Sequence, residues 1–305
     1  MILSVSRRTD IPQFYSQWFF HRLKEGSLCV RNPFNSRQIS RIDLSPETVE
    51  FIVFWTKNPK PMLSRIKELG EIPYYIQFTL TSYGKDVEPG LSEKEELLEV
   101  FKEAAGLCQA KRMVWRYDPI FLNDKYTEEF HIRRFERMAE ALKGHTKKVV
   151  ISFLDMYGKT KRNMKEIPVI SLKEEDMLRI GAKLSAIGAA CGMTMEACGE
   201  GVDFTSAGIR PGACIDRHMI EDISGRPVKY VGDKNQRAAC GCMQSVDVGS
   251  YDTCLAGCVY CYANDSQKCV RRKWEGYDPF SPLLCGHIDE DDKIRDRRLP
   301  SIWEK

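Results

Sequence analysis

Three cysteines near the C-terminal end of the sequence have a spacing that suits iron–sulfur chemistry. Three residues separate Cys254 from Cys258, and two residues separate Cys258 from Cys261. A zinc site needs two pairs of ligands to close a tetrahedron, and this pattern does not provide them. Three closely spaced thiolates can instead hold three irons of a [4Fe–4S] cube, whereas an electron-transfer cube takes four. We therefore predict a metal site whose fourth iron is free to bind a small molecule.

Four further cysteines precede this segment and form a second candidate metal site. They are Cys198, Cys214, Cys240 and Cys242. Four thiols complete the ligand set of a second [4Fe–4S] cluster or of a structural zinc. The alternative is a set of buried free cysteines, although a Cys-Gly-Cys run in a polar stretch is not typical of a core. His218 is a spare ligand for this site.

The distribution of cysteines also bears on the compartment. The sequence holds twelve cysteines, and nine of them lie between Cys198 and Cys285. Clustered thiols point to metal binding in a reducing compartment. The pair Arg7-Arg8 is followed by Thr9-Asp10-Ile11-Pro12, where a twin-arginine export signal would have an apolar stretch. No apolar run approaches the roughly 20 residues of a membrane span, so we expect a cytoplasmic protein without a membrane partner.

Short β-rich runs alternate with amphipathic helical segments in the first 200 residues. The β-rich runs are Ile2–Val5, Phe51–Trp55, Tyr74–Leu80, Met113–Trp115, Val149–Phe153 and Thr194–Ala197. The helical segments are Gln13–Glu25, Ser45–Val49, Pro61–Leu69, Glu93–Gln109, Glu128–Lys143 and Lys173–Cys191. This alternation predicts an α/β fold with a parallel sheet, in a (β/α) barrel or partial barrel. We expect barrel units over 1–200, a cysteine-rich cluster-binding segment over 201–265 that completes the barrel, and a polar C-terminal tail over 266–305.

Polar side chains follow the predicted strands at the points where the chain leaves the sheet. The carboxyl ends of parallel strands meet at one edge, where α/β proteins gather functional groups. We expect one mouth to be ringed by Arg7, Arg8, Asp10, Arg31, Lys57, Asn58, Arg116 and Asp118. The candidate catalytic residues among them are Arg8, Asp10, Lys57, Arg116 and Asp118. Arginine suits bidentate contacts with carboxylate or phosphate, which favours a small polar or anionic substrate. The alternative for each of these residues is that it only marks the start of a loop and has no functional role.

The cysteine spacing, with Tyr260 directly before Cys261, resembles the signature of the radical S-adenosylmethionine (SAM) superfamily. The run Cys258-Val259-Tyr260-Cys261-Tyr262-Ala263 is similar to its spore-photoproduct-lyase-like branch. The resemblance implies that the open iron chelates the amino and carboxylate groups of SAM. One electron, from a donor such as flavodoxin or ferredoxin, would then cleave the sulfonium to a 5′-deoxyadenosyl radical.

The same resemblance implies which residues bind the cofactor. Tyr260 would pack beside the adenine of SAM, and Tyr262, Asn58 and Glu200 would complete the site. The carboxylate of Asp118 or Glu200 would bind the ammonium group of SAM. The arginines at the mouth would take its carboxylate.

The position of the motif departs from the superfamily, in which it follows the first barrel strand. A circular permutation keeps the geometry if Val246–Tyr251 supplies the strand before the cysteine loop and the chain's start supplies the next one. The whole chain, over roughly residues 1–265, resembles the bacterial family called domain of unknown function 1848. This resemblance implies kinship and no particular substrate. The runs that carry it are the cysteine segment, Ser4–Pro12, Arg31–Asn35, Phe54–Pro59 and Trp115–Pro119.

Two other functions are open at this stage. One is a lyase-like enzyme of nucleic-acid repair or modification, because basic residues lie near two aromatic ones that could hold a strand. These residues are Lys268, Arg271, Arg272 and Lys273, with Trp274 and Tyr277. A net charge of only +3 argues against this reading. The other is a non-catalytic iron–sulfur or zinc protein, for example a redox sensor, which would use the thiols without a SAM site.

Overall fold

The computed structural model describes residues 1–237 and 240–304, and its main element is a parallel sheet. In spatial order its strands are β10 (Val246–Asp247), β1 (Ile2–Val5), β4 (Phe51–Thr56), β5 (Tyr74–Thr79), β6 (Met113–Ile120), β7 (Lys148–Phe153), β8 (Thr194–Cys198) and β9 (Arg210–Gly212). Apart from β10 at one edge, the strands of this sheet lie side by side in the order in which they occur along the chain. The sheet therefore winds in one direction, which is consistent with a partial α/β barrel.

The helices of the described residues are α1 (Ile11–Phe14), α2 (Ser16–Lys24), α3 (Lys60–Leu63), α4 (Lys94–Cys108), α5 (Glu128–Leu142), α6 (Gly158–Asn163), α7 (Glu174–Ala190), α8 (Arg217–Ser224) and α9 (Gln267–Trp274), with short 3₁₀ turns at Ile66–Leu69, Ala110–Arg112 and Thr205–Ala207. Helices between the strands, such as α4, α5 and α7, cover the outer face of the sheet, whereas Ile220 of α8 packs on its opposite face. Aromatic stacking joins the layers: Phe101 of α4 lies 5.0 Å from Phe78, and Phe135 of α5 lies 4.7 Å from Trp115. Such pairs add to the apolar burial that holds the helices on the sheet.

The inner face of the sheet packs around a later part of the chain. Successive side chains of a strand point to opposite faces of the sheet, so the residues on either side of Phe78 and Trp115 point inward. Cys214, Ile215, Cys242 and Met243 lie in one buried cluster with these inward side chains: Ile2, Phe51, Val53, Tyr75, Val114 and Val150. The segment beyond residue 200 therefore fills the concave side of the sheet.

A second, smaller sheet corrects one prediction about the mouth. The strands β2 (Ser27–Asn32) and β3 (Asn35–Asp43) form an antiparallel hairpin, and β11 (Lys293–Asp296) pairs with β3 in parallel. The expectation that Arg31 follows a strand of the main sheet is wrong, because the turn at Pro33-Phe34 folds the chain back into this hairpin. Arg31 instead binds Asp292, with 2.7 Å between Nη1 and Oδ1.

The alternation of strands and helices is otherwise confirmed as a mixed α/β fold on a large parallel sheet. The exception among the predicted helices is Ser45–Val49, which forms a single hydrogen-bonded turn. The Asp43 carboxylate stabilises this turn by accepting from the Ser45 amide at 2.9 Å and from Thr48 Oγ1 at 2.8 Å. The region predicted as a polar tail contains α9 and β11, and Trp274 and Tyr277 pack on Tyr15 at ring distances of 5.4 and 5.0 Å.

Candidate functional site

A cavity of about 320 Å³ lies at the carboxyl ends of the parallel strands. The predicted mouth residues that line it are Arg7, Arg8, Asp10, Lys57, Arg116 and Asp118, together with Tyr260 and Tyr262. The seven cysteines predicted as metal ligands line it as well: Cys198, Cys214, Cys240, Cys242, Cys254, Cys258 and Cys261. Two thiol sets that are separate in the sequence therefore share one cavity with the charged strand ends.

The loop that carries Cys254, Cys258 and Cys261, here called the cysteine loop, is held from one side by the segment after β5. The amide of Gly90 donates to the carbonyl of Ala256 at 3.0 Å, and the amide of Val259 donates to that of Val87 at 3.0 Å. A Cβ on Gly90 would lie 2.6 Å from the Ala256 carbonyl oxygen, so only glycine permits this approach. Gly257 turns the loop itself with φ of +70°.

Further hydrogen bonds fix the other side of the cysteine loop. Asn264 Nδ2 donates to the carbonyl of Cys254 at 2.7 Å, and Tyr15 OH donates to that of Thr253 at 2.6 Å. The amide of Ala263 donates to Cys261 Sγ at 3.3 Å. The backbone of the loop is thus fixed by the protein itself.

Asp247 joins the cysteine segment to the end of β1. Its carboxylate accepts hydrogen bonds from Ser4 Oγ at 3.0 Å, Ser6 Oγ at 2.7 Å and the Arg7 amide at 2.8 Å. Gly249 follows closely, and a Cβ there would lie 1.9 Å from Ser6 Oγ. Sequence reasoning did not single out Asp247, although its place just before the cysteine loop was a usable signal.

Of the thiols of the cysteine loop, Cys258 is buried, and Cys254 and Cys261 are partly exposed. Burial raises the pKa of Cys258 to about 12, against a smaller lowering by Lys57. Desolvation also raises the pKa values of Cys254 and Cys261. Because desolvation outweighs the nearby cation, these groups are thiols, and a metal would have to displace their protons.

A buried charge network borders the cysteine loop. Lys57 Nζ donates to Glu88 Oε1 at 2.8 Å and to Tyr260 OH at 2.7 Å. Lys94 Nζ, Thr81 Oγ1 and Tyr260 OH also donate to the Glu88 carboxylate. Burial raises the pKa of Glu88, but the two lysines outweigh it and bring the pKa to about 2. Glu88 is a site residue that sequence reasoning missed, because it lies in a loop without periodicity.

Asp10 caps the start of α1, and it also accepts a hydrogen bond from the residue that follows β4. Its Oδ1 accepts from the Gln13 amide at 3.0 Å, and its Oδ2 accepts from the Lys57 amide at 2.7 Å. Burial outweighs these hydrogen bonds and raises the pKa of Asp10 to about 6. The neighbouring Thr9 hydroxyl is buried without a hydrogen-bond partner in the described structure, and it also lines the cavity.

Arg116 lines the cavity and contacts the second thiol set. Its Nε donates to Asp118 Oδ2 at 3.1 Å, and its guanidinium lies over the ring of Trp55 at 5.4 Å. Its Nη1 donates to Cys214 Sγ at 2.9 Å. Ser152 Oγ donates to the remaining oxygen of Asp118. The ion pair is therefore oriented by Trp55 of β4 and by Ser152 of β7.

The second thiol set is drawn together on the cavity wall. The sulfurs of Cys198 and Cys214 are 2.7 Å apart, and the thiol of Cys242 lies near those of Cys214 and Cys240. Among residues 1–237 and 240–304, no group of three or more His, Cys, Asp and Glu side chains is arranged to hold a single metal ion. An iron–sulfur cube is a different case, because each thiolate binds its own iron.

Besides Arg31, three predicted residues do not line the cavity in the described structure. Asn58 turns its Oδ1 to the Lys60 amide at 3.1 Å. Glu200 accepts from the Phe153 amide at 2.7 Å, and burial raises its pKa to about 7. His218 is exposed at the start of α8. A position after a strand end therefore does not by itself bring a side chain to the cavity.

These features define an α/β protein whose parallel sheet carries a cysteine-rich cavity at its carboxyl edge. The chain belongs to the family described as Domain of unknown function (DUF1848), whose model matches residues 2–263. The matched region runs from β1 to the end of the cysteine loop, and it confirms the family resemblance. A comparison with curated proteins gives no match. Within the described residues, no helix has both the length and the apolar character needed to cross a membrane.

Proposed function

We propose that this protein is a radical SAM-type enzyme that holds a [4Fe–4S] cluster on Cys254, Cys258 and Cys261. The observation that carries the proposal is the position of these three thiols on the wall of the strand-end cavity, among charged side chains. When bound, the cluster would supply the one-electron reductive cleavage of SAM that starts radical chemistry on a polar or anionic substrate.

The donor set of the cysteine loop suits such a cluster. Cys254, Cys258 and Cys261 are soft ligands of the kind that iron–sulfur clusters use. The amide that donates to Cys261 Sγ is the type of contact that tunes cluster sulfurs. Gly257, with φ of +70°, lets the chain turn directly before Cys258. The loop is also held by hydrogen bonds to two other segments, so its ligands are ordered in advance.

The charged residues of the cavity suit binding of SAM and substrate. Lys57 fixes the hydroxyl of Tyr260, which holds that ring on the cavity wall where it could pack on adenine. Arg8 lies over the ring of Tyr251 at 5.2 Å and, like Arg116, presents a guanidinium suited to a carboxylate. Asp118 is the carboxylate that suits the ammonium group of SAM, since its side chain is 20% exposed and lines the cavity.

The pairing of β10 with β1 supports the circular permutation. β10 pairs in parallel with β1 through Leu3 and Val246 and through Ser4 and Asp247. The cysteine loop therefore follows a strand of the same sheet, next to the strand that opens the chain. This is the relation between motif and sheet that the superfamily resemblance requires.

The test is anaerobic reconstitution with iron and sulfide, followed by addition of SAM and dithionite. Wild type should form 5′-deoxyadenosine, and the variant Cys254→Ala/Cys258→Ala/Cys261→Ala should not. A matched control replaces Cys29, Cys108 and Cys191, which are buried but do not line the cavity in the described structure. It should behave as wild type. A colourless zinc protein that forms no deoxyadenosine would instead favour a non-catalytic metal protein.

The cellular setting follows from the same chemistry. Clustered thiols that bind a metal are typical of a reducing compartment, so we propose the cytoplasm. The electron would come from a donor such as flavodoxin or ferredoxin.

A second candidate function is modification of nucleic acid. Lys268, Arg271 and Arg272 are exposed on α9, which begins shortly after the cysteine loop. Two other members of the predicted patch are already engaged: Lys273 donates to the carbonyl of Tyr251 at 2.7 Å, and Trp274 stacks on Tyr277 at 4.8 Å. A gel shift with single-stranded DNA and RNA tests this function. Binding that weakens with salt and with charge removal on α9 would favour it.

A further inference from the structure

Hydrogen bonds from the main sheet fix the position of the second thiol set on the concave face. Cys198 ends β8, and Cys214 follows β9 after Gly212 and Ala213. The carbonyl of Cys214 accepts from Tyr75 OH at 2.5 Å and from Gln77 Nε2 at 2.9 Å. These donors are on β5, so two strand side chains hold Cys214 on the concave face.

Close packing restricts the same segment. A Cβ on Gly212 would lie 2.9 Å from the Cβ of Glu196 and 3.0 Å from the carbonyl oxygen of Ala197. Gly212 therefore lets the chain run directly against β8, which carries Cys198. The contact of Cys198 with Cys214 results from this backbone approach.

Donors also point at the sulfurs themselves. Arg116 Nη1 lies 2.9 Å from Cys214 Sγ, and the amide of Ile215 donates to Cys242 Sγ at 3.5 Å. A buried guanidinium beside a sulfur favours the thiolate, and outer hydrogen bonds of this kind orient metal ligands. Free thiols packed as small apolar groups in a core need neither donor.

We propose that Cys198, Cys214, Cys240 and Cys242 hold an auxiliary iron–sulfur cluster that faces the same cavity as the cysteine loop. The thiols form two pairs, and all four donors are soft sulfur ligands, which select iron–sulfur clusters and zinc. Sulfurs on one tetrahedral zinc lie about 3.8 Å apart, given Zn–S bonds of about 2.3 Å. The 2.7 Å between Cys198 and Cys214 is shorter, so ligand binding must move these thiols apart. The preference for an iron–sulfur cluster rests on the donors that point at the sulfurs of Cys214 and Cys242, because such hydrogen bonds are the contacts that tune cluster sulfurs.

The test uses protein that lacks the thiols of the cysteine loop, so that its result does not depend on the radical SAM proposal. The Cys254→Ala/Cys258→Ala/Cys261→Ala variant is treated with thiol reductant, reconstituted anaerobically with ferrous iron and sulfide, and desalted. Iron, inorganic sulfide, zinc and visible absorption are then measured. We expect equal amounts of iron and sulfide, about four of each per chain for a cube, with thiolate-to-iron absorption.

Further replacement identifies the ligands. Adding Cys214→Ser and Cys242→Ser should remove the iron, whereas adding Cys29→Ser and Cys108→Ser should not. Cys198→Ser, at the edge of the set, provides a second variant, and circular dichroism checks that each protein is folded. Zinc without iron, a disulfide between Cys198 and Cys214, or iron that survives both sets of replacements would overturn the proposal. If the radical SAM proposal fails instead, wild type and the loop variant will hold the same amount of iron.

Discussion

The substitution Glu88→Gln is expected to lower the unfolding free energy of the cluster-free protein by about 3 kcal/mol at pH 7. Burial raises the pKa of Glu88, yet Lys57 and Lys94 bring it from the ordinary 4.5 to about 2. At about 1.36 kcal/mol for each pH unit, the difference corresponds to about 3 kcal/mol of favourable interaction with the charged form. Glutamine would also leave two buried ammonium groups without their anion, which adds to the cost.

The pH dependence has a definite sign. The pKa of Glu88 is lower in the folded protein, so its contribution is fully present above about pH 4.5. It is lost as the pH falls from there towards about 2, because the unfolded chain takes up the proton first. The difference between wild type and Glu88→Gln should therefore shrink over this range.

Urea denaturation measures both effects. Glu71→Gln is the matched control, because Glu71 is exposed and the same carboxylate is removed. Its effect should stay within about 0.5 kcal/mol, as for most surface substitutions. If Glu88→Gln and Glu71→Gln have equal unfolding free energies at pH 7, the reasoning about the buried network is refuted.

Two further substitutions test the cavity and the edge that positions it. Arg116→Ala should retain the iron of the cysteine loop but weaken SAM or substrate binding roughly ten- to hundredfold, because a charge-assisted contact is worth about 1.5–3 kcal/mol. Unchanged SAM affinity and deoxyadenosine yield, with substrate present, would make Arg116 a structural ion-pair partner only. Gly249→Ala should cost about 1–3 kcal/mol through overpacking, since its Cβ would lie 1.9 Å from Ser6 Oγ. The control is Gly201→Ala, which lies outside the helices and whose Cβ would meet nothing within 4 Å. Thermal unfolding compares the two variants, and equal midpoints would contradict the prediction.

The sequence predicts the parallel strands well because buried strands are continuous apolar runs. Phe51–Thr56 is such a run, and the polar residues that follow it were placed at the correct edge of the sheet. The rule that functional groups follow strand ends therefore brings Lys57 and Arg116 to the cavity. It fixes where a residue lies but not where its side chain points. Asn58 is adjacent to Lys57, yet its side chain bonds to the backbone of its own turn.

What the sequence could not show depends on contacts between distant segments. The β2–β3 hairpin is rich in polar residues, and its pairing with β11 joins segments about 250 residues apart, so Arg31 was assigned to the wrong sheet. Glu88 is similar, because its importance arises only when Lys57 and Tyr260 fold against it. A buried carboxylate in a loop has no periodic signal. The glycine at position 90, which a close backbone approach requires, was the available hint.

The edge between β10 and β1 explains how a C-terminal motif can serve a site built by N-terminal strands. Asp247 accepts hydrogen bonds from Ser6 and from the backbone of Arg7, across about 240 residues of chain. One carboxylate thus sets the end of β1 against the start of the cysteine segment, and Gly249 leaves room for the contact. The cysteine spacing predicts the chemistry, but it says nothing about which charged groups will face the thiols. That choice is made by the parallel pairing of two strands from opposite ends of the chain, which brings Arg7 beside the cysteine loop.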